Sequence, residues 1–190
     1  MKRLLRFALP ALAMLLASAA ASAHSGVEAG WLHPLSGTDH LLAMIAIGAW
    51  SCQMGGRAIW LVPTAFVASM LVGGVLGFEQ VELPGVETGI VLSVLLLGLA
   101  IGFERRFSLL IASIGVGLFG VFHGYAHGYE MPVMEDKVSY TLGFLSTTAL
   151  LHIVGAVGAW WLLRLKHGRI ILRALGFACA ACGVYLFTRL

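Results

Sequence analysis

Long apolar stretches separated by short polar breaks run through most of the chain. Six of them approach the roughly 20 residues that a helix needs to cross the hydrocarbon core of a bilayer. The pattern predicts an all-α, polytopic membrane protein with a six-transmembrane-helix bundle, at about residues 34–54, 58–78, 86–103, 107–127, 138–163 and 170–188. No linker between these stretches is long enough to separate domains, so residues 24–190 are expected to form one bundle.

The first 23 residues have a different pattern from the rest. A basic start is followed by an apolar core at residues 9–16 and by a small-residue sequence at residues 21–23. This order is typical of a cleaved secretory signal peptide. Cleavage there would leave His24 as the first residue of the mature chain.

The composition excludes a soluble globule and a disordered chain. Hydrophobic residues make up 59% and charged residues 11%, with a mean hydropathy of +0.93, against roughly 45–50% and 25% in ordinary soluble domains. The full chain has 12 basic and 9 acidic residues, and three of the basic ones belong to the signal peptide. The mature chain is therefore neutral, so its charge gives no reason to expect a nucleic-acid partner.

The basic residues also predict an orientation. A cleaved signal peptide places the mature N-terminus outside the cytoplasm, and six crossings return the C-terminus to that side. Seven of the nine basic residues of the mature chain then lie inside, as the positive-inside rule requires: Arg57, Arg105, Arg106, Arg164, Lys166, Arg169 and Arg173. We therefore expect a multi-pass protein of the inner (plasma) membrane with both mature termini in the periplasm.

The three cysteines do not form a disulfide framework. Cys179 and Cys182 form a C-x-x-C pair inside an apolar helix, where small residues packing helix against helix are the favoured interpretation over redox or metal chemistry. A G-x-G-x-x-G pattern at residues 115–120 lies within a predicted span and follows no strand, so it does not indicate a nucleotide site.

Ionisable residues stand out from this background in two clusters. The first cluster contains His33, Asp39 and His40, with Met44 one turn deeper. Pro34 is expected to begin the first helix, because the first turn tolerates the missing N–H. His33 and His40 are seven residues apart, so on one helix they would share a face.

The second cluster ends the fourth predicted span. His123 and His127 are four residues apart and Glu130 follows three later, so the three share a face. Span four runs outward and span one begins at the outer surface, so the two clusters are expected to meet there. Ionisable groups in a bilayer cost at least a few kcal/mol each and need partners or a function. The pattern therefore predicts a polar functional site.

Imidazole and carboxylate groups suit divalent zinc, nickel, cobalt, iron or copper, and this chemistry does not separate them. His24 could capture an ion through its amine and imidazole, and His152 is a possible deeper ligand, about 21 Å down span five. The possible secondary ligands also include Met44, with Cys52 and Met54 as weaker candidates. Acidic residues near the outer surface are expected to collect the cation: Glu79, Glu82, Glu87, Glu135 and Asp136.

Two motifs carry a resemblance to a known family. HPxxGxDHxxxM at residues 33–44 and FHGxAHGxE at residues 122–130 resemble the two signatures of the HupE/UreJ family. The resemblance implies a secondary, ATP-independent permease for nickel, not an enzyme, associated with hydrogenase or urease maturation. It implies no permanently bound cofactor, and nickel as cargo follows from the resemblance alone, with Co²⁺, Cu²⁺ and Zn²⁺ not excluded. The metal-binding residues would be His33, Asp39, His40, His123, His127 and Glu130.

Two other functions stay open on the residues. An intramembrane zinc-dependent hydrolase could use the same His/Asp cluster to activate water, although the HExxH signature is absent. Such an enzyme would keep its metal through purification, whereas a carrier would lose it readily. A haem-binding electron carrier with histidine axial ligands would be coloured, with a Soret band.

Overall fold

The computed structural model describes residues 27–133 and 136–190. The predicted signal peptide, His24 and Glu135 lie outside these residues. The described part of the chain contains seven helices and no strand: α1 Val27–Ser36, α2 Thr38–Met54, α3 Ala58–Phe78, α4 Val86–Gly102, α5 Leu109–Tyr129, α6 Lys137–Leu163 and α7 Gly168–Phe187. The predicted all-α fold is confirmed for these residues.

Four of these helices, α3, α5, α6 and α7, are long and apolar enough to cross a membrane, and α4 is a shorter apolar helix. The ends of α3 to α7 agree within two residues with the predicted spans. Large apolar side chains such as Leu110 and Ile170 point outward from the bundle. An exposed apolar surface of this kind fits contact with lipid.

The first predicted span differs from the expectation. Pro34 does not begin a helix but lies inside α1, which ends at Ser36. Because proline has no N–H to donate to the preceding turn, it weakens the helix there, and the chain becomes extended at Gly37 before α2 starts at Thr38. The expectation that His33 shares one helix face with the second histidine of its motif was therefore wrong.

Among the described helices, the most extensive contact joins α3 to α5. A Cβ atom added to Gly124 would overlap the carbonyl oxygen of Met70, and one added to Gly128 would overlap that of Gly74. The two backbones therefore touch directly, as small residues permit in lipid. This contact holds the histidine-bearing end of α5 against the bundle.

The C-x-x-C pair lies where α4 packs on α7. The thiol of Cys179 lies 3.6 Å from the carbonyl oxygen of Val94, whereas Cys182 is exposed. Both are free thiols. The packing interpretation therefore fits Cys179, and Cys182 faces outward.

Polar contacts hold the loop between α4 and α5, at the end of the bundle away from the histidines of α5. Arg169 makes two hydrogen bonds to Glu104, and this guanidinium lowers the pKa of the carboxyl. The indole N–H of Trp50 donates to the carbonyl of Arg105 at 2.9 Å. The loop is thus fixed to both α2 and α7.

Candidate metal site

Four histidine rings meet at one end of the bundle. His33 comes from α1, His40 from the first turn of α2, and His123 and His127 from the end of α5. The ring centroid of His127 lies 4.9 Å from that of His33 and 4.8 Å from that of His40. The ring centroid of His40 also lies 4.9 Å from that of His123. His123 and His127 are fully buried. The structure thus brings together histidines from both motifs.

Asp39 controls the orientation of the His40 ring. Nδ1 of His40 lies 2.9 Å from Oδ1 of Asp39, which also accepts the backbone N–H of His40 at 2.8 Å. With its proton on Nδ1, the ring donates to the carboxylate and leaves Nε2 as an acceptor. That Nε2 is buried and has no hydrogen-bond partner among the described residues. A carboxylate on one nitrogen and a vacant second nitrogen is the arrangement found in metal-binding histidines.

The two histidines of α5 offer further nitrogens. Nδ1 of His123 donates to the carbonyl of Phe119 at 2.9 Å, which leaves its Nε2 free. Within the described ranges neither this Nε2 nor either nitrogen of His127 has a hydrogen-bond partner. A buried polar atom without a partner costs about 1–3 kcal/mol. Three neighbouring imidazoles in this state make this end of the bundle the candidate site for a ligand.

The rings are not arranged around a single point. Across residues 27–133 and 136–190, no three His, Cys, Asp or Glu side chains converge closely enough to hold one metal ion as they stand. The rings instead meet edge to face, with interplanar angles of 69–70°. Binding an ion here would require the rings to turn.

Carboxylates surround the more exposed side of the cluster. Oε2 of the half-exposed Glu130 lies 2.9 Å from Nε2 of His33, and this hydrogen bond lowers the pKa of Glu130. Glu87, in the first turn of α4, interacts electrostatically with Asp39, His40 and Glu130. The site therefore has an apolar inner side and an acidic outer rim.

The structure places the possible deeper ligands apart from the ring cluster. Met44 is fully buried in the core, where the hydroxyl of Thr148 lies 3.4 Å from its sulfur. His152 of α6 is also buried, with its ring against Phe66 rather than against the other histidines. His24 lies outside the described residues.

Two of the acids expected to collect cations have structural partners. A carboxylate oxygen of Glu79 lies 3.4 Å from the ammonium of Lys137. Asp136 caps α6 by accepting the backbone N–H of Ser139 at 2.8 Å, and this bond lowers the pKa of Asp136. Glu82 is exposed in the loop between α3 and α4.

Two aromatic residues at the site carried no signal in the sequence. The ring of Phe144 stacks on His127 at 5.1 Å, and that of Phe66 packs edge-on against His123 at 5.2 Å. Both phenylalanines are fully buried. A phenylalanine in an apolar helix looks like any other core residue, so only the packing reveals its place beside the histidines.

The helices and the site together define a class of protein. Several helices are apolar and long enough to cross a bilayer, and they pack through glycines around buried histidines with unused nitrogens. These features define a helical membrane protein with a candidate site for a metal ion.

Comparison with known proteins identifies the family. The family model described as HupE / UreJ protein matches residues 10–186. Protein HupE of Rhizobium leguminosarum bv. viciae is 44% identical over 180 residues, which cover 92% of this chain and 94% of that protein. The chain therefore belongs to the HupE/UreJ family. No solved structure matches it.

Proposed function

We propose that this chain is a secondary permease that carries a divalent transition-metal ion, nickel, from the periplasm to the cytoplasm. Membership of the HupE/UreJ family supports a transport role in hydrogenase or urease maturation. The choice of nickel comes from that family, because imidazole and carboxylate ligands do not select it over cobalt, copper or zinc.

The observation that carries the proposal is the set of unused imidazole nitrogens at one end of the bundle. His40, His123 and His127 present buried nitrogens without partners among the described residues, and neutral imidazole is a ligand for such ions. Asp39 holds the first of these rings and supplies negative charge near the cation. Because neutral histidines bind the ion, binding should weaken as the pH falls.

His33 and Glu130 form the outer part of the proposed site. Their side chains are paired with each other and are more exposed than the histidines of α5. An arriving cation would meet this pair and the carboxylate of Glu87 before the buried rings. His24, at the mature N-terminus, would assist in capture.

The proposed topology has six crossings after a cleaved signal peptide, with α1 leading into the first. Both mature termini lie in the periplasm of a multi-pass inner-membrane protein, and the histidine cluster lies at the periplasmic end. The placement of seven basic residues on the cytoplasmic side supports this orientation.

Metal accumulation by cells that express the protein tests the proposal. Wild type, Asp39→Ala and the exposed-loop control Gln80→Ala are compared at trace nickel, cobalt, zinc and copper. We expect nickel uptake by wild type and Gln80→Ala, and none above background by Asp39→Ala at the same amount of membrane-inserted protein.

Absence of uptake of every metal by membrane-inserted wild type would contradict the permease. Zinc retained by the purified protein would then favour the hydrolase, and a Soret band would favour the haem carrier. Normal nickel uptake by inserted Asp39→Ala would instead contradict the assignment of the site.

A further inference from the structure

One aromatic ring separates the outer histidine cluster from the deeper histidine. The ring centroid of Phe66 lies 5.2 Å from that of His123 and 5.3 Å from that of His152. Phe66 is fully buried. Neither Nε2 of His123 nor either nitrogen of His152 has a hydrogen-bond partner in the part of the chain that the structure describes. Two buried imidazoles with unused nitrogens thus face an apolar ring from different helices.

The deeper histidine borders a cleft on the other side of this ring. The cleft has a volume of about 570 Å³ and is lined mainly by apolar side chains, among them the exposed Trp60 and Trp160, together with Cys52 and His152. Cys52 is near the end of α2, Trp60 near the start of α3 and Trp160 near the end of α6. The cleft therefore lies toward the end of the bundle opposite the histidine cluster.

We propose that Phe66 is the gate of the transport path: its ring closes the way between the outer histidine cluster and an inner binding position at His152, which opens on the cleft. The inference rests on the proposed permease function. An ion moving from His123 to His152 must displace the ring between them. While the ring is in place, it prevents a continuous chain of polar groups or water, as apolar constrictions do in other pores.

The moving part of this gate is the side chain rather than the helix. A Cβ atom added to Gly120 would overlap the carbonyl oxygen of Phe66, so the backbone at this position is packed directly on α5. Helices in such close contact do not separate readily. Rotation of the ring toward the cleft requires no separation of α3 from α5.

The accessibility of Cys52 to a membrane-impermeant cationic thiol reagent tests the gate without any metal. Cys179→Ser and Cys182→Ser are introduced into the full chain so that Cys52 is the remaining thiol. Reagent is applied to right-side-out spheroplasts, which expose the periplasmic face, and to inside-out vesicles, which expose the cytoplasmic face. In this background we expect Cys52 to react from the cytoplasmic face only.

Three variants separate a gate from a general packing role. In Phe66→Ala we expect Cys52 to react from both faces, with the periplasmic rate at least about tenfold above the background chain. Phe66→Leu keeps an apolar plug and should retain one-sided labelling. Met70→Ala removes a comparable volume of fully buried side chain one turn along the same helix and should also retain it. Phe66→Val replaces the alanine variant if that variant does not accumulate in the membrane.

An unchanged periplasmic rate in Phe66→Ala and Phe66→Val would overturn the gate, as would labelling from both faces in the background chain. An equal rise in Met70→Ala would also overturn it, because it would show a loosened bundle. Nickel uptake by wild type is measured separately. If one-sided labelling depends on Phe66 but wild type takes up no nickel, the gate stands and nickel is rejected as the cargo. If wild type takes up nickel but labelling does not depend on Phe66, only the gate is rejected.

Discussion

At the scale of single residues, the interaction between Asp39 and His40 determines which nitrogen of the His40 ring is left without a partner. The carboxylate engages both the ring Nδ1 and the backbone N–H of His40. This leaves the role of ligand to Nε2, which is buried beside the rings of His123 and His127. In the proposed site, Asp39 would therefore position the His40 ring and add negative charge near the cation.

Replacing Asp39 with asparagine or alanine separates these roles. The side-chain amide oxygen introduced by Asp39→Asn could still accept the Nδ1–H of His40, so the ring should stay in place while the charge is lost. Mutation of such a hydrogen-bond partner of a metal-binding histidine typically lowers metal affinity about 10–100-fold. We expect Asp39→Asn to raise the KM for nickel uptake about tenfold or more while retaining measurable uptake, and Asp39→Ala to retain none.

Initial uptake rates over a range of nickel concentrations measure this difference, with Gln80→Ala, in the exposed loop after α3, as the control. Equal and complete loss in both Asp39 variants would argue that the carboxylate itself ligates the ion.

The contact between α3 and α5 determines the geometry at the scale of elements. Gly73 and Gly77 of α3 face α5, and Gly120, Gly124 and Gly128 of α5 face α3. Because there is no side chain between them, the backbones approach closely enough to present both α5 histidines to the interior. A larger residue at this contact would move the site as well as the helix.

Two glycines of α5 make a matched test of this packing. In Gly124→Ala the added methyl group meets the backbone of Met70, and overpacking of this kind typically costs about 1–3 kcal/mol. Around Gly115, apart from the adjacent residues and the local backbone of α5, no atom of the described residues lies within 4 Å of the position of a Cβ atom. There alanine should raise stability by up to about 1 kcal/mol through its higher helix propensity.

Thermal unfolding of the detergent-solubilised variants provides the measurement. We expect a lower midpoint for Gly124→Ala and an unchanged or higher one for Gly115→Ala. Equal midpoints for the two variants would show that the α3–α5 contact is not a principal source of stability.

The arrangement of the whole molecule separates two ends with different chemistry. The histidines and their carboxylates gather at one end. At the other end lie the ion pair of Glu104 with Arg169 and the basic loop after α4. The proposed orientation places the first end in the periplasm, where the cation arrives, and the second in the cytoplasm.

Reporter fusions test this orientation. Alkaline phosphatase is active only after export, so a fusion after Leu190 should be active if the chain crosses the membrane six times from a periplasmic N-terminus. A fusion after Arg106, in the loop between α4 and α5, should be inactive, because that loop is expected inside. Immunoblots establish equal expression. The opposite pattern of activities would reverse the topology and with it the direction in which the gate faces.

The class of the protein and the positions of most helices could be predicted from the sequence alone. Apolar stretches long enough to cross a bilayer constrain the chain strongly, because backbone groups in lipid must form hydrogen bonds within helices. The ends of α3 to α7 therefore agree with the predicted spans within two residues. The first span was an exception. Pro34 is compatible with either the start or the interior of a helix, and only the structure showed the break at Gly37.

The histidine motifs are visible in the sequence, but the interactions between their residues depend on how the helices pack. Which nitrogen of His40 is free depends on the conformation of Asp39, and the contacts of His40 with His123 join positions far apart in the chain. Phe66 looked like any other apolar residue until packing placed it between two imidazoles. Hydropathy acts on each segment separately and so can be seen in the sequence, whereas such contacts depend on how separate helices pack.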